Sequence, residues 1–559
     1  MGGAPGEPAW RLTRNRQPPP RSNWRKVPVD QRYRHWNTVG FARTVLVVVR
    51  TVTTLTRLLD ILALLERDRR VQVVFTHAEG NRAIFAAGVP DLLRALGAPV
   101  IPWEQATKAP VDLVLAASEN DDLHELPGPV LLVPHGLGYQ KHYPGSRVTS
   151  GMDPDRLVHA GRVVPAAIAL SHPEQAEQLR AACPPAVPRA VVVGDPCHDR
   201  MLASAHRTAR YRRALGTGDR ALVVLASTWG PESLLGSWPE LPAALLGRLP
   251  LDSYQVAAVL HPGIWAAHGP WQVRGWLTDA RRAGLVLVPP ERGWQAALLA
   301  ADCVVTDTGS AALYAAAVDE PVLLGARGGS TVPGSPLAAL AATAPALGPG
   351  DDLRARIDEV VDGHRPGAHA EILRRAVHRP GRSAALLTEL LYRWLRLTPP
   401  VAPAFPAVPE PVVEPAEVAA FVVGGRVDGD VVALERFPAA VDVHGELSYR
   451  HTVAHAELAE LRELDAASVV YTEPAPTDFP RWAMEVLHRR PVVRIAAAVA
   501  GDGTCLVCPR GGEPRRLSAP GIDPLLLASF AYLRQVDPDV PAALRVGATR
   551  VEVSSAPSG

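Results

Sequence analysis

Val304-Val305-Thr306-Asp307-Thr308-Gly309-Ser310-Ala311-Ala312-Leu313-Tyr314 reads as a strand end, a tight polar turn and a helix start. β-Branched residues suit the strand, and the alanine-rich run to Ala317 suits the helix. A helix start leaves several backbone N–H groups unpaired, all pointing one way with partial positive charge behind them. Thr308 and Ser310 add hydroxyl donors, and Gly309 removes the side chain that would block close approach. Such a turn can cradle a phosphate or diphosphate. The same residues also suit plain helix capping by Asp307 or Thr308, the commoner use of Asp, Ser and Thr at such a position. The neighbouring motifs must decide.

Outward from this turn the chain repeats one unit. Ala221–Leu225, Tyr254–Leu260, Leu285–Val288, Cys303–Val305 and Pro321–Leu324 are short apolar runs with helical stretches between them. Upstream, Val45–Val49, Gln72–Phe75, Pro99–Trp103, Leu113–Ala116, Val130–Val133, Ala166–Leu170 and Ala190–Val193 form a first series of the same kind. Helices are expected at Val52–Glu66, Ala83–Leu96, Asp351–Asp362 and Ser383–Leu397. Apolar strands alternating with helices make doubly wound α/β sheets covered on both faces. Two series predict two tandem Rossmann-like domains, residues 38–200 and 201–397. Their C-terminal strand edges should face each other across a cleft, where ligands of open α/β sheets bind.

The remaining segments read differently. Residues 1–37 are rich in Pro, Gly and Arg without apolar periodicity, which predicts a disordered basic arm. Residues 398–416 are a Pro-rich linker. Residues 417–559 predict a small accessory α+β domain, with strands at Ala420–Val423, Val469–Tyr471, Pro491–Ile495 and Thr504–Cys508. Helices are expected there near Ala454–Leu464 and Pro480–Arg489. His444, His451 and His455 match no zinc pattern and are expected at the surface. Cys505-Leu-Val-Cys508 is a lone C-x-x-C and reads as part of a hairpin.

Composition excludes several classes. Lys plus Arg total 58 against 57 Asp plus Glu, so no global field argues for nucleic acid. The apolar segment Phe41–Leu65 is interrupted by Arg43, Arg50, Arg57 and Asp60, which rules it out as a bilayer span; membrane contact should be at most peripheral. Five scattered cysteines fit a reducing, cytoplasmic compartment better than a disulfide framework. No cofactor or metal is expected.

Two histidines follow strands directly. Pro134-His135-Gly136 comes after Val130–Val133, on a glycine-flexed turn that runs on to Lys141. An imidazole at a strand edge, titrating near neutrality, is suited to take a proton from an acceptor hydroxyl. A loop histidine bonded only to backbone is the alternative. Leu260-His261-Pro262 repeats the logic in the second half, where the ring could donate to a diphosphate or serve the loop alone. Gly194-Asp195-Pro196-Cys197-His198-Asp199 stands where a hinge belongs. Thr228 and Trp229 follow the first strand of the second half and are placed to line a nucleotide pocket.

In this order the motifs resemble GT-B-fold transferases of the CDP-glycerol glycerophosphotransferase kind, the teichoic-acid polymerases. The resemblance rests on His135-Gly136, Gly194-Asp-Pro196 with Asp199, Thr228-Trp229, Leu260-His-Pro262, and Asp307 with Ser310, across roughly residues 40–397. The Asp-Thr-Gly-Ser turn is also similar to the non-hydrolysing UDP-N-acetylglucosamine 2-epimerases. The resemblance implies a CDP- or UDP-linked donor bound by Thr228, Trp229, Asp307, Thr308, Gly309 and Ser310. It implies His135 as acceptor base and His261 on the donor phosphates, with Gly136 and Lys141 also in the cleft. It further implies a ribose-binding acid four positions after Ser310, where this sequence has Tyr314.

The expected function is transfer of a glycerophosphate or glycosyl group from a nucleotide-diphosphate donor to a hydroxyl. The acceptor would be a glycan, a lipid-linked polymer or a secondary metabolite. Two alternatives stand: an epimerase-like enzyme, and a non-catalytic GT-B scaffold binding a partner through its C-terminal domain.

Overall fold

A computed structural model describes residues 38–77, 86–414, 417–445 and 447–557. The basic segment 1–37 lies outside the described residues, as do residues 83–85 of the helix expected from Ala83. Beyond them Gly88 takes a left-handed conformation (φ +87°), and the helix runs from Val89 to Ala95.

The first half carries a seven-stranded sheet. Its spatial order is Val100–Pro102, Val71–His77, Arg43–Val48, Leu113–Ala116, Val130–Leu132, Pro165–Leu170 and Ala190–Val192. All six pairings are parallel. Val45, Leu46, Val47, Leu113, Val114 and Leu115 are fully buried, which is why both parities along these strands are apolar. The second half carries five parallel strands in the order Val286–Val288, Tyr254–Leu260, Ala221–Ser227, Cys303–Thr306 and Val322–Leu324. Both sheets reverse winding beside their first strand, and crevices open at such reversals. The register pairs Ser227 with Leu260 and Ala226 with Thr306, so the loops carrying Thr228, His261 and Asp307 start level with one another.

The chain crosses between the halves near Gly194 and again near Gly381, side by side, and a third time between Phe405 on the first core and Val408 on the second. After Gly194 (φ +75°), helix Pro196–Ser204 sends Cys197 and Met201 into the core formed by Leu222, Val224 and Val304 of the second half. Helix Ser383–Leu395, grouped by sequence order with the second half, packs instead on the first sheet. Its Leu387, Leu391 and Tyr392 share a core with Val45, Val47 and Leu113. Asp199 joins the first two crossings, accepting from the Gly381 and Ser383 amides at 2.7 Å each.

The C-terminal region is a mixed ten-stranded sheet curled around helix Pro524–Val536. Leu525 to Phe530 of that helix are all buried, so it has no polar stripe. Strands Thr549–Glu552 and Ser554–Pro557 occupy opposite edges of the sheet, with only Val553 between them in sequence. Several local expectations change here. Residues 454–464 are the end of strand His451–His455 followed by helix Leu461–Ala466, and the strand expected from Pro491 begins at Ile495. His444 is exposed, but His451 and His455 are buried. Their rings share one strand face, packing on Tyr532 and Tyr471 at centroid distances of 4.3 and 5.0 Å. Cys505 and Cys508 lie in strand Cys505–Pro509 and enter different cores. Among the described residues no helix is long and apolar enough to cross a membrane.

Candidate active site

Loops from the C-terminal edges of both parallel sheets enclose one cavity of about 950 Å³. His135, Gly136 and Lys141 line it from the first half; Thr228, Trp229, His261, Thr308, Gly309 and Ser310 line it from the second. The two imidazoles and the glycine turn therefore open onto one space. Asp307 does not line it.

His135 sits on a turn whose flanking carbonyls are both held. Arg57 Nε donates to the Pro134 carbonyl at 2.9 Å and Arg57 Nη2 to the Gly136 carbonyl at 3.1 Å. The Ala117 carbonyl lies close enough to favour a ring proton on the nitrogen nearer it. The ring stays open to the cavity, and desolvation by the surrounding cleft walls lowers its pKa; the nearby Glu119 opposes this and Arg57 reinforces it. That direction favours the neutral ring, the form able to accept a proton.

His261 is arranged the other way. Its Nδ1 accepts from the Gly263 amide at 2.9 Å, capping helix Pro262–His268, so the ring proton resides on Nε2. Burial, reinforced by repulsion from His135 when that ring is protonated and from the Lys141 ammonium, pushes its pKa down to about 3. A neutral ring held in this tautomer is a hydrogen-bond donor and not a base.

No side chain caps helix Ser310–Ala317, so the capping reading of Asp307 and Thr308 fails. Asp307 is buried, and its Oδ2 accepts from the Thr228 amide (2.8 Å), the Thr228 hydroxyl (2.9 Å) and the Leu234 amide (2.9 Å). It anchors the loop that bears Trp229 and is removed from the set facing a ligand. Thr308 Oγ1 accepts from the Gly328 amide at 3.2 Å. Gly309 is required by crowding: a β-carbon there would lie 2.3 Å from the Thr228 methyl. The uncapped helix start therefore faces the cleft through Gly309 and Ser310.

Lys141 reaches between the halves. Its backbone bridges Thr331, the His142 amide donates to the Ser330 carbonyl at 2.7 Å, and the Val332 amide to the Gln140 carbonyl at 2.9 Å. Burial lowers the ammonium pKa, against the pull of Asp307 and Glu232.

Sequence reading missed two residues, Glu119 and Arg57, and noted Tyr314 only as the place of an implied acid. Glu119, at the turn after Leu113–Ala116, is buried, and its Oε1 accepts from the Tyr143 hydroxyl and, at 2.7 Å, from the Gly151 amide. A carboxylate right after a strand of the reversal pair was the available signal. Arg57, inside helix Val52–Leu62, carried none beyond a cation on an apolar helix face. Tyr314 lines the cavity but aims its hydroxyl at Asp195, with Oδ1 and Oδ2 at 3.2 and 3.3 Å. Trp294 packs on Tyr314 at 5.3 Å and, with Val259, Pro289 and Pro290, gives the second half a flat apolar wall. Thr51, Thr53, Thr56, Ser118, Ser146 and Ser150 give the first half a hydroxyl-rich one.

No family model matches the chain, and none of the curated proteins matches it. Solved structures align with it. The wall teichoic acid polymerase TagF is 12% identical over 64% of this chain and 89% of that one, with a TM-score of 0.43. HepE of Anabaena, in complex with UDP and glucose, is 13% identical over 64% of this chain and 100% of that one, with a TM-score of 0.37. In architecture this chain is similar to both.

Proposed function

We propose that the protein is a metal-independent GT-B-type transferase that moves a glycerophosphate or glycosyl group from a CDP- or UDP-linked donor to a hydroxyl acceptor. One observation carries this reading. His135 with its lone pair and His261 with its N–H line the same cavity as the uncapped helix start at Gly309–Ser310.

The residues divide into two tasks. On the hydroxyl-rich side, His135 takes the acceptor proton as the oxygen attacks the electrophilic centre of the donor. On the other side, the helix-start amides, the Ser310 hydroxyl, His261 Nε2–H and Lys141 hold the negative charge that grows on the departing nucleotide phosphate. The wall of Val259, Pro289, Pro290 and Trp294 suits the flat face of a base.

Calorimetry with CDP-glycerol and UDP-sugars, followed by turnover assays with His135→Ala, tests the proposal. Micromolar donor binding retained by the variant, with product formation abolished, is expected. Unchanged product formation by His135→Ala would remove the base. Failure of every donor to bind would favour a scaffold without catalysis.

A further inference from the structure

A closed ring of contacts runs around the cleft floor. Arg57 holds the two carbonyls that flank His135, and the same guanidinium is ion-paired to Asp195, with both side chains buried. Asp195 lies at the first chain crossing, where its Oδ1 caps helix Pro196–Ser204 by accepting from the His198 amide at 2.8 Å. The remaining approach to this carboxylate is taken by the Tyr314 hydroxyl. Tyr314 belongs to helix Ser310–Ala317, one turn beyond Ser310. Ser310 in turn abuts Gly136, the residue after His135.

The bonds that meet at Asp195 join buried groups, where a lost partner is costly to replace, and the Ser310–Gly136 link is a steric contact. Tyr314 therefore has no hydroxyl proton left to donate to a ligand. Its OH is the only side-chain donor from the second half among the described residues recorded on Asp195. We propose that Tyr314 and Arg57 are positioning residues: through Asp195 they fix the His135 turn relative to the helix that faces the donor. Neither touches the reacting atoms. The arrangement places base and helix start in register across two separately folded halves. This inference rests on the transferase reading for its catalytic meaning, but the coupling itself is measurable without turnover.

The test is hydrogen exchange on the full chain without ligand, comparing wild type, Tyr314→Phe and Tyr211→Phe. Tyr314→Phe keeps the ring against Trp294 and deletes only the hydroxyl. Tyr211→Phe is the control, because its buried hydroxyl donates to the Val408 carbonyl at 2.9 Å, in a different contact. The expected result is exchange about tenfold faster across residues 136–140 in Tyr314→Phe alone, with strand 130–132 unchanged. Unchanged exchange in Tyr314→Phe, or an equal rise in Tyr211→Phe, overturns the proposal. Where a donor is turned over, Tyr314→Phe should lower kcat about tenfold and leave donor KM within about twofold. A raised donor KM with unchanged kcat would make Tyr314 a donor contact and overturn the positioning role. Absence of turnover with every donor defeats the transferase reading, while the exchange result judges the coupling by itself.

Discussion

The hydroxyl oxygen of Ser310 stands 2.6 Å from where a β-carbon on Gly136 would lie, so the His135 turn and the second half's helix start meet through a glycine. Gly136→Ala must displace Ser310 or part the halves. Overpacking of this kind costs about 1–3 kcal/mol, so the urea midpoint should fall. Adding Ser310→Ala removes the clashing oxygen and should recover most of that loss. A double variant no more stable than Gly136→Ala would show that the contact is not the cause.

Asp307 is expected to act on stability before activity. Asp307→Asn keeps the oxygen that accepts from Thr228 and Leu234 but puts an NH2 group in place of Oδ1, where a buried donor would find no partner. Leaving a buried polar group unmatched costs about 1–3 kcal/mol. Thermal unfolding should register this, and hydrogen exchange should quicken across residues 228–234. A variant as stable as wild type with impaired donor binding would return Asp307 to the ligand-facing set.

The pH dependence of stability has a definite sign. His261 is held at about 3 when folded, chiefly by burial, against about 6.5 for a free histidine. Between those values the unfolded chain binds the extra proton, so this contribution is complete above pH 6.5 and is lost as pH falls toward 3. In His261→Asn, whose side chain can still accept from the Gly263 amide, the urea midpoint should drop less between pH 7.5 and pH 5 than in wild type. Identical slopes would contradict the assignment.

Glu119 should tune His135. Its negative charge raises the imidazole pKa against the lowering by burial, so Glu119→Gln should move the His135 titration to lower pH. Gln can still accept from Tyr143 and Gly151, so the fold should survive. Imidazole resonances followed by NMR against pH check the shift; an upward or absent shift would exclude direct electrostatic contact.

The alternation of apolar strands and helices is legible in the sequence because a parallel strand covered on both faces must be continuously apolar. Tyr254–Leu260 is readable to the residue for that reason. His135 and His261 are legible as well, since each follows such a strand and the sheet edge dictates where it points. The role of Asp307 is not, because its partners Thr228 and Leu234 stand 79 and 73 residues earlier. Arg57 and Tyr314 take their meaning from Asp195, 138 and 119 residues distant, and nothing local marks a pairing of that span. Helix Pro524–Val536 escapes because Leu525 to Phe530 are covered all round and show no amphipathic period, only its last turn being exposed. His451 and His455 look like surface residues until their strand is known to bury that parity.

The join at Val553 has a practical consequence for anyone trimming this protein. The two segments it links, Thr549–Glu552 and Ser554–Pro557, are the outermost rungs on opposite sides of the C-terminal sheet. Deleting both would bare strands Ala543–Val546 and Arg515–Ser518 at once, giving each molecule two adhesive margins. Poor solubility of a shortened version would therefore report on these bared edges and say nothing about the cleft.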